Sequence, residues 1–177
     1  MGCFACTTRL TTKLNSLMHF EDKLNITFAP LKEDDFETLF RWLQESHVKK
    51  WWKDKEFGCL NTIIEKYSPY LENKNGVWAF IVSIDGKKIG FIQYYFATPG
   101  KTDGAGIDFY IGEKEYLNKG ISNLIIKDFL DQKVFKLFKF CIADPDKKNI
   151  YAIRTLEKAG FTVHSKVEDF IIMVNTA

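Results

Sequence analysis

The 25 residues from Gly106 to Leu130, GIDFYIGEKEYLNKGISNLIIKDFL, decide how the rest of the chain is read. Gly106 to Ile111 is rich in branched and aromatic residues and reads as a strand. From Gly120, Ile121, Leu124, Ile125, Phe129 and Leu130 form one helical stripe, which predicts a helix ending near Lys133. The short loop between them enters that helix at its N-terminus, where amide N–H groups have no intrahelical partner and point at any anion placed there. Gly120 permits close backbone approach, and Lys119 adds a mobile positive charge.

Upstream, Val77 to Ile84 and Lys88 to Ala97 are separated by Asp85-Gly86, a strong hairpin signal, so they are expected to pair antiparallel. Gly106 to Ile111 then extends the meander. Thr98 to Ala105 collects Pro99, Gly100, Asp103 and Gly104 and is expected to be a loop. Further back, Asn25 to Pro30 reads as a strand. Glu33 to Glu45 reads as a helix, with Phe36, Leu39, Phe40 and Leu43 at i, i+3, i+4 and i+7. His47 to Lys55 is expected to be a loop, and Leu60 to Leu71 a helix carrying Ile63, Ile64 and Tyr67. Downstream come a strand over Phe138 to Ala143, a helix over Lys148 to Lys158 stopped by Ala159-Gly160, and two closing strands over Phe161 to Val174. This order predicts an α/β (α+β) fold: a mixed, mostly antiparallel central sheet of about seven strands flanked by about four helices.

A chain of 177 residues fits one domain, expected over residues 18–177 behind an N-terminal extension at 1–17. Hydrophobic residues make up 46% and aromatics 15%, enough to build a core, while 27% charged residues make a soluble exterior. The net charge of +2 balances 25 basic against 23 acidic residues, so no global field draws nucleic acid or a membrane surface. Any anion site is local. Cys3, Cys6, Cys59 and Cys141 lack a second CxxC to complete a zinc ribbon and fit free thiols in a reducing cytoplasm. His19, His47 and His164 are scattered without HExxH spacing, so no metal is expected, and His47 is expected to be structural. No apolar run approaches the roughly 20 residues that a membrane helix needs.

Three stretches carry a resemblance: Gly106-Ile-Asp-Phe-Tyr-Ile-Gly-Glu with the following Tyr-Leu-Asn-Lys-Gly-Ile-Ser; Asp144-Pro-Asp-Lys-Lys-Asn-Ile-Tyr-Ala-Ile-Arg-Thr-Leu-Glu-Lys-Ala-Gly-Phe161; and Trp42-Leu, His47-Val-Lys-Lys and Trp51-Trp52. Together they resemble the GNAT superfamily of N-acetyltransferases, most closely its aminoglycoside 6'-N-acetyltransferases. The likeness covers about Ile26 to Val174. It implies a CoA pyrophosphate at the loop, held by Asn118, Lys119, Gly120, Ile121, Ser122 and Asn123, with acetyl-CoA as co-substrate. It also implies main-chain contacts to pantetheine and the acetyl oxygen from Phe109, Tyr110 and Ile111. Leu117 and Ser122 depart from the superfamily's loop pattern, where the donors are main-chain.

Acetyl transfer needs an uncharged amine, a donor for the oxyanion and a route for the departing thiolate. Asp108 matches the family's catalytic Asp and would orient the acceptor ammonium and take its proton. Asn149 and Leu156 are seven apart, one helical stripe, matching the family's CoA-contacting Asn and thiol-protonating Tyr. Leu156 cannot donate a proton, and Tyr151 lies roughly 140° off that stripe. Restoring tyrosine at position 156 is therefore expected to leave or raise the rate.

On the acceptor side, Trp51, Trp52, Asp108 and Asp144 stand at family-matching positions, with Gln93 and Tyr95 on one strand face. Of the two tryptophans, one ring is expected inward and one toward the cleft. Lys49, Lys50 and Lys53 around them, and Asp103 as the sole acid in Thr98 to Ala105, suit a polycation poorly. The resemblance implies a cytoplasmic enzyme of antibiotic resistance that acetylates a small-molecule amine of aminoglycoside type, as monomer or homodimer, with neither nucleic acid nor membrane as partner. Acylation of a hydroxylysine-type siderophore precursor, a protein-lysine acetyltransferase and a non-catalytic acyl-CoA-binding or partner-interaction protein stand as alternatives.

Overall fold

The computed structural model describes residues 24–52, 58–73, 75–98 and 101–177. The expected extension at 1–17, Cys3, Cys6, His19 and Lys53 lie outside them.

Among the described residues a seven-stranded sheet forms in the order β1-β2-β3-β4-β5-β7-β6. The strands are β1 (Ile26–Pro30), β2 (Val77–Ile84), β3 (Lys87–Thr98), β4 (Lys101–Ile111), β5 (Phe140–Ala143), β6 (Thr162–Val167) and β7 (Phe170–Thr176). Every neighbouring pair is antiparallel except β4 and β5. A parallel pair needs a crossover, and the helix after β4 supplies it. Five α-helices are found among the described residues: α1 (Phe36–Gln44), α2 (Ser46–Lys49), α3 (Leu60–Leu71), α4 (Ser122–Phe129) and α5 (Ile150–Lys158). This is the mixed, mostly antiparallel α/β sheet expected from the sequence.

The hairpin at Asp85-Gly86 turns as its residues dictate. Both take positive φ, 50° and 80°, the left-handed pair that joins twisted strands through two residues. The resulting register sets Phe91 opposite Ile81, and the next hairpin sets Phe91 opposite Tyr110 and Gln93 opposite Asp108. Strand alternation then divides the molecule into two layers. Ile92, Tyr94, Ile107 and Ile111 face a core completed by Ile125 and Phe129 of α4 and Leu156 of α5. Phe91 and Tyr110 face a second core built with Leu39 and Trp42 of α1 and Ile63 and Tyr67 of α3. Fully buried side chains such as Phe91 and Phe129 contribute about 1.5–3 kcal/mol each.

Three expectations are corrected. Residues Lys101 to Ala105 are strand, not loop, so β4 starts five residues before Gly106. Gly104, read as a loop glycine, is a close-approach glycine: a Cβ there would lie 2.2 Å from the Phe140 ring of the paired strand. Part of the expected loop from His47 is the short helix α2, closed by Lys49 and Lys50 amides on Glu45 and Ser46 carbonyls. The helix from Gly120 begins at Ser122 and relaxes into a π-helical turn over Leu130–Val134.

Candidate active site

Asp108 sits in the middle of β4, on the face that looks toward α1–α3. Its register partner Gln93 donates from Nε2 to Oδ2 at 2.7 Å. Gln93 is buried, and its Oε1 has no partner among the described residues. Burial raises the Asp108 pKa above the usual carboxylate value, the Gln93 N–H pulls it down, the nearby Asp144 charge raises it and the Lys66 ammonium lowers it. A carboxylate so placed is a stronger base than one in water.

Tyr95, two residues along the same face, lies over Gly106, where a Cβ would stand 2.4 Å from its ring. Burial first, then Asp108 and Asp144, push the Tyr95 hydroxyl pKa far up, so it remains a neutral phenol at physiological pH. Asp144 follows the end of β5. Its charge acts on both Asp108 and Tyr95, which puts it beside them. Thus Gln93, Tyr95, Asp108 and Asp144 converge at one mouth.

The two tryptophans part company. Trp52 packs edge-on against Tyr110 at 4.9 Å and Phe91 at 6.1 Å, inside the second core. The Trp51 ring lies 4.7 Å from the Lys50 ammonium. His47 binds the Ile111 carbonyl through Nε2 at 3.0 Å and ties α2 to the end of β4.

Helix α3 brings residues that the sequence reading missed. Tyr67 is fully buried, edge-on to Phe91 at 5.6 Å and to Tyr70 at 5.4 Å. The Lys66 ammonium lies 5.7 Å from the Tyr67 ring and is held half-buried, its pKa lowered by burial and raised again by Asp108. The stripe Ile63, Ile64, Tyr67 gave the helix but not its facing across to Asp108.

On the other side of Asp108, β4 continues past its last β5 partner at Gly106 to Ile111, while the chain leaves β5 after Ala143. Phe109, Tyr110 and Ile111 therefore line a slot where the two strands have parted. The loop that follows is firmly braced. Glu113 accepts from Arg41 Nη2 at 2.6 Å and from Trp42 Nε1 at 2.9 Å. Lys114 pairs with Glu45 at 2.6 Å, and Lys87 with Glu115. Asn118 and Gly120 take φ of 59° and 72°, which coil the loop back on itself, and no atom outside the chain neighbours lies within 4 Å of a Cβ placed on Gly120. The N-cap residue of α4 is the buried Ile121, whose side chain offers no hydrogen bond, so the first-turn amides beside Ser122 and Asn123 stay open to an anion. Lys119 is exposed, its ammonium 5.3 Å from the Tyr116 ring.

Asn149 has a structural duty that the sequence reading did not include. It is the N-cap of α5, its Oδ1 accepting from the Ala152 amide at 3.1 Å, so the helix starts at Ile150 and not at Lys148. Its main-chain carbonyl accepts the first intrahelical bond, from the Ile153 amide at 3.1 Å, and its Nδ2 is the side-chain group left to donate. Leu156 is buried in the first core, while Tyr151 is 76% exposed. Neither of those two side chains lies among the groups that converge on Asp108. Among the described residues no group of three His, Cys, Asp or Glu could hold a metal ion, and no helix is long and apolar enough to cross a membrane.

A family model described as an acetyltransferase (GNAT) domain matches residues 32–169. The chain is 30% identical over 175 residues to an aminoglycoside N(6')-acetyltransferase type 1 of Klebsiella pneumoniae, the match covering 82% of this chain and 85% of the relative. The solved aminoglycoside acetyltransferase AAC(6')-Ib in complex with coenzyme A and kanamycin superposes with a TM-score of 0.77 at 28% identity, over 86% of this chain and 95% of that one. Spermidine N-acetyltransferase from Vibrio cholerae, in complex with CoA and spermine, shares the fold with a TM-score of 0.73 at 17% identity, over 85% and 95% of the two chains.

Proposed function

Because the chain belongs to the GNAT acetyltransferase family, we propose that it moves the acetyl group of acetyl-CoA onto the primary amine of a small molecule, with an aminoglycoside 6'-amine as the first acceptor to test. The observation that carries this reading is the half-buried Asp108, held by the buried Gln93, beside the open stretch of β4, with the uncapped start of α4 one loop away. The residues present fit the co-substrate. Open amides at Ser122 and Asn123 with Lys119 suit a pyrophosphate, and the unpaired edge beyond Gly106 suits an extended amide-bearing arm, which Asn149 Nδ2 would reach from the opposite side. When bound, acetyl-CoA supplies an activated acyl thioester.

The rest falls to the protein. Asp108 attracts the acceptor's ammonium and takes one proton from it, freeing the lone pair for attack. Gln93 fixes the carboxylate's orientation and keeps Oε1 turned to a second N–H of the same amine. The main-chain amides of Phe109 to Ile111 would donate to the acetyl oxygen as charge develops on it. Tyr95 and Trp51 wall the acceptor. Leu156 offers no proton to the departing thiol, so solvent supplies it, which a leaving group of pKa about 8.5 tolerates.

A panel of amines assayed for CoA release tests the reading, with Asp108→Asn as its partner experiment. The variant should lose about 10²–10⁴ in kcat, while calorimetric affinity for acetyl-CoA stays within about twofold. Equal turnover by the variant would remove Asp108 from the chemistry.

A further inference from the structure

We propose that His47 is the end stop of the slot. By holding the Ile111 carbonyl it limits the register in which the extended arm of acetyl-CoA can pair with β4, and so fixes where the arm's reactive end halts beside Asp108. This rests on the acetyl-transfer reading and adds a positioning residue to it.

The backbone of β4 carries the inference. Successive residues of an antiparallel strand turn their N–H and C=O alternately toward and away from the partner strand. The Gly112 amide donates to the Ile89 carbonyl of β3 at 2.8 Å, so Ile111, opposite Gly90, faces the other way. Phe109, two residues back, shares that orientation, and pairing with β5 has ended at Gly106. Phe109 and Ile111 therefore turn their amides and carbonyls into the slot. Of these groups one is already engaged: the Ile111 carbonyl accepts from His47 Nε2 at 3.0 Å. The acceptor being a carbonyl, Nε2 carries the ring proton. The peptide from Ile111 to Gly112 is thus held on both sides, by His47 at its oxygen and by Ile89 at its nitrogen. A Cβ on Gly112 would lie 2.1 Å from the Trp42 ring, so the same peptide is seated against α1.

Packing alone does not account for a histidine at this position. Its Nδ1 is buried and has no hydrogen-bond partner among the described residues, an arrangement that destabilises a fold. The neighbouring Val48 already anchors α2 in the second core. What His47 provides and an apolar residue could not is a donor for the last carbonyl of the slot. With that carbonyl taken, an arm finds the amide and carbonyl of Phe109 and the amide of Ile111. With it free, the pairing can slide toward Ile111 by one strand repeat, two residues or about 7 Å. Such a slide keeps the number of hydrogen bonds and loses the contact distance that attack on the thioester needs.

The test uses the full chain with His47→Phe and His47→Leu, which lack a donor, and His47→Gln, whose amide N–H replaces that of Nε2. CoA release should show kcat lowered roughly 10- to 100-fold in the two variants without a donor and restored to within about threefold of wild type in His47→Gln. Calorimetric affinity for CoA should stay within about threefold throughout. The amide NMR spectrum during titration with CoA gives a readout independent of turnover. The wild type should shift the Phe109 and Ile111 signals together, and the variants without a donor should lose the Phe109 shift and keep that of Ile111. A wild type whose Phe109 signal ignores CoA, a kcat unmoved in His47→Phe and His47→Leu, or a His47→Gln as slow as His47→Leu overturns the inference. So does a loss of CoA affinity that matches the loss of kcat, because a mere brace between α2 and β4 would weaken binding and turnover together. In each of those cases CoA release that depends on Asp108 leaves the acetyl-transfer reading standing. Absence of CoA binding and of CoA release with every amine, wild type included, sinks that reading and the end stop with it.

Discussion

Asp108 was legible because its neighbours spell a motif and because a carboxylate inside an apolar strand has few structural uses. Gln93 was half legible: alternation with Tyr95 put it on one strand face, but its bond to Asp108 depends on a register that two turns set together. The Gln93–Asp108 pair predicts a pH dependence. On the proposed role Asp108 takes a proton only when ionised, so activity should fall as pH drops through its pKa, which burial raises above the ordinary carboxylate value. The Gln93 N–H favours the ionised form, so Gln93→Leu should move the acid limb of kcat/KM upward by about one to two pH units. A limb that stays put in the pH profile would show that the amide has no hold on the base.

At the scale of elements, the strand and helix cores were readable from periodicity, and their ends were not. Asp85-Gly86 announced its turn because both residues tolerate left-handed backbone. Gly104 misled because a glycine that admits the Phe140 ring and a glycine that bends a loop are the same letter. The loop from Gly112 to Ile121 was recognised by its glycine, yet what braces it lies on distant elements. Glu113 reaches back to Arg41 and Trp42 of α1, and Lys114 to Glu45. The Arg41 side chain is more than half exposed, so the buried indole N–H of Trp42 carries most of the clamp. Glu113→Ala leaves that donor unpaired, at about 1–3 kcal/mol, and lets the loop drift. Steady-state kinetics should show KM for acetyl-CoA raised roughly five- to tenfold, with kcat changed less than about twofold. A kcat defect without a KM defect would place Glu113 in the chemistry and not in the brace.

Over the whole molecule, element order gave the class of fold, and the sheet divides the labour: α4 and α5 close one core, while α1–α3 close the other and roof the acceptor side. The net charge of +2 conveyed none of this, since the working charges are local. Nor did helical spacing show that α5 turns Leu156 inward. Of the two outcomes expected for tyrosine at 156, an unchanged or a raised rate, this burial favours the first. The larger, polar ring enters a packed core at a position 7% exposed, and overpacking costs about 1–3 kcal/mol. Thermal unfolding of Leu156→Tyr should fall by roughly 2–12 °C with no gain in rate. The slot between β4 and β5 has a further meaning at this scale. Unpaired strand backbone is ordinarily a hazard, because another chain can zip onto it and grow an aggregate. Here the unpaired stretch lies inside the sheet order, between β3 on one side and β5, β7 and β6 on the other, and it ends where His47 holds the Ile111 carbonyl. A gap placed between two paired strands is shielded from a passing sheet edge in a way that an outer strand is not.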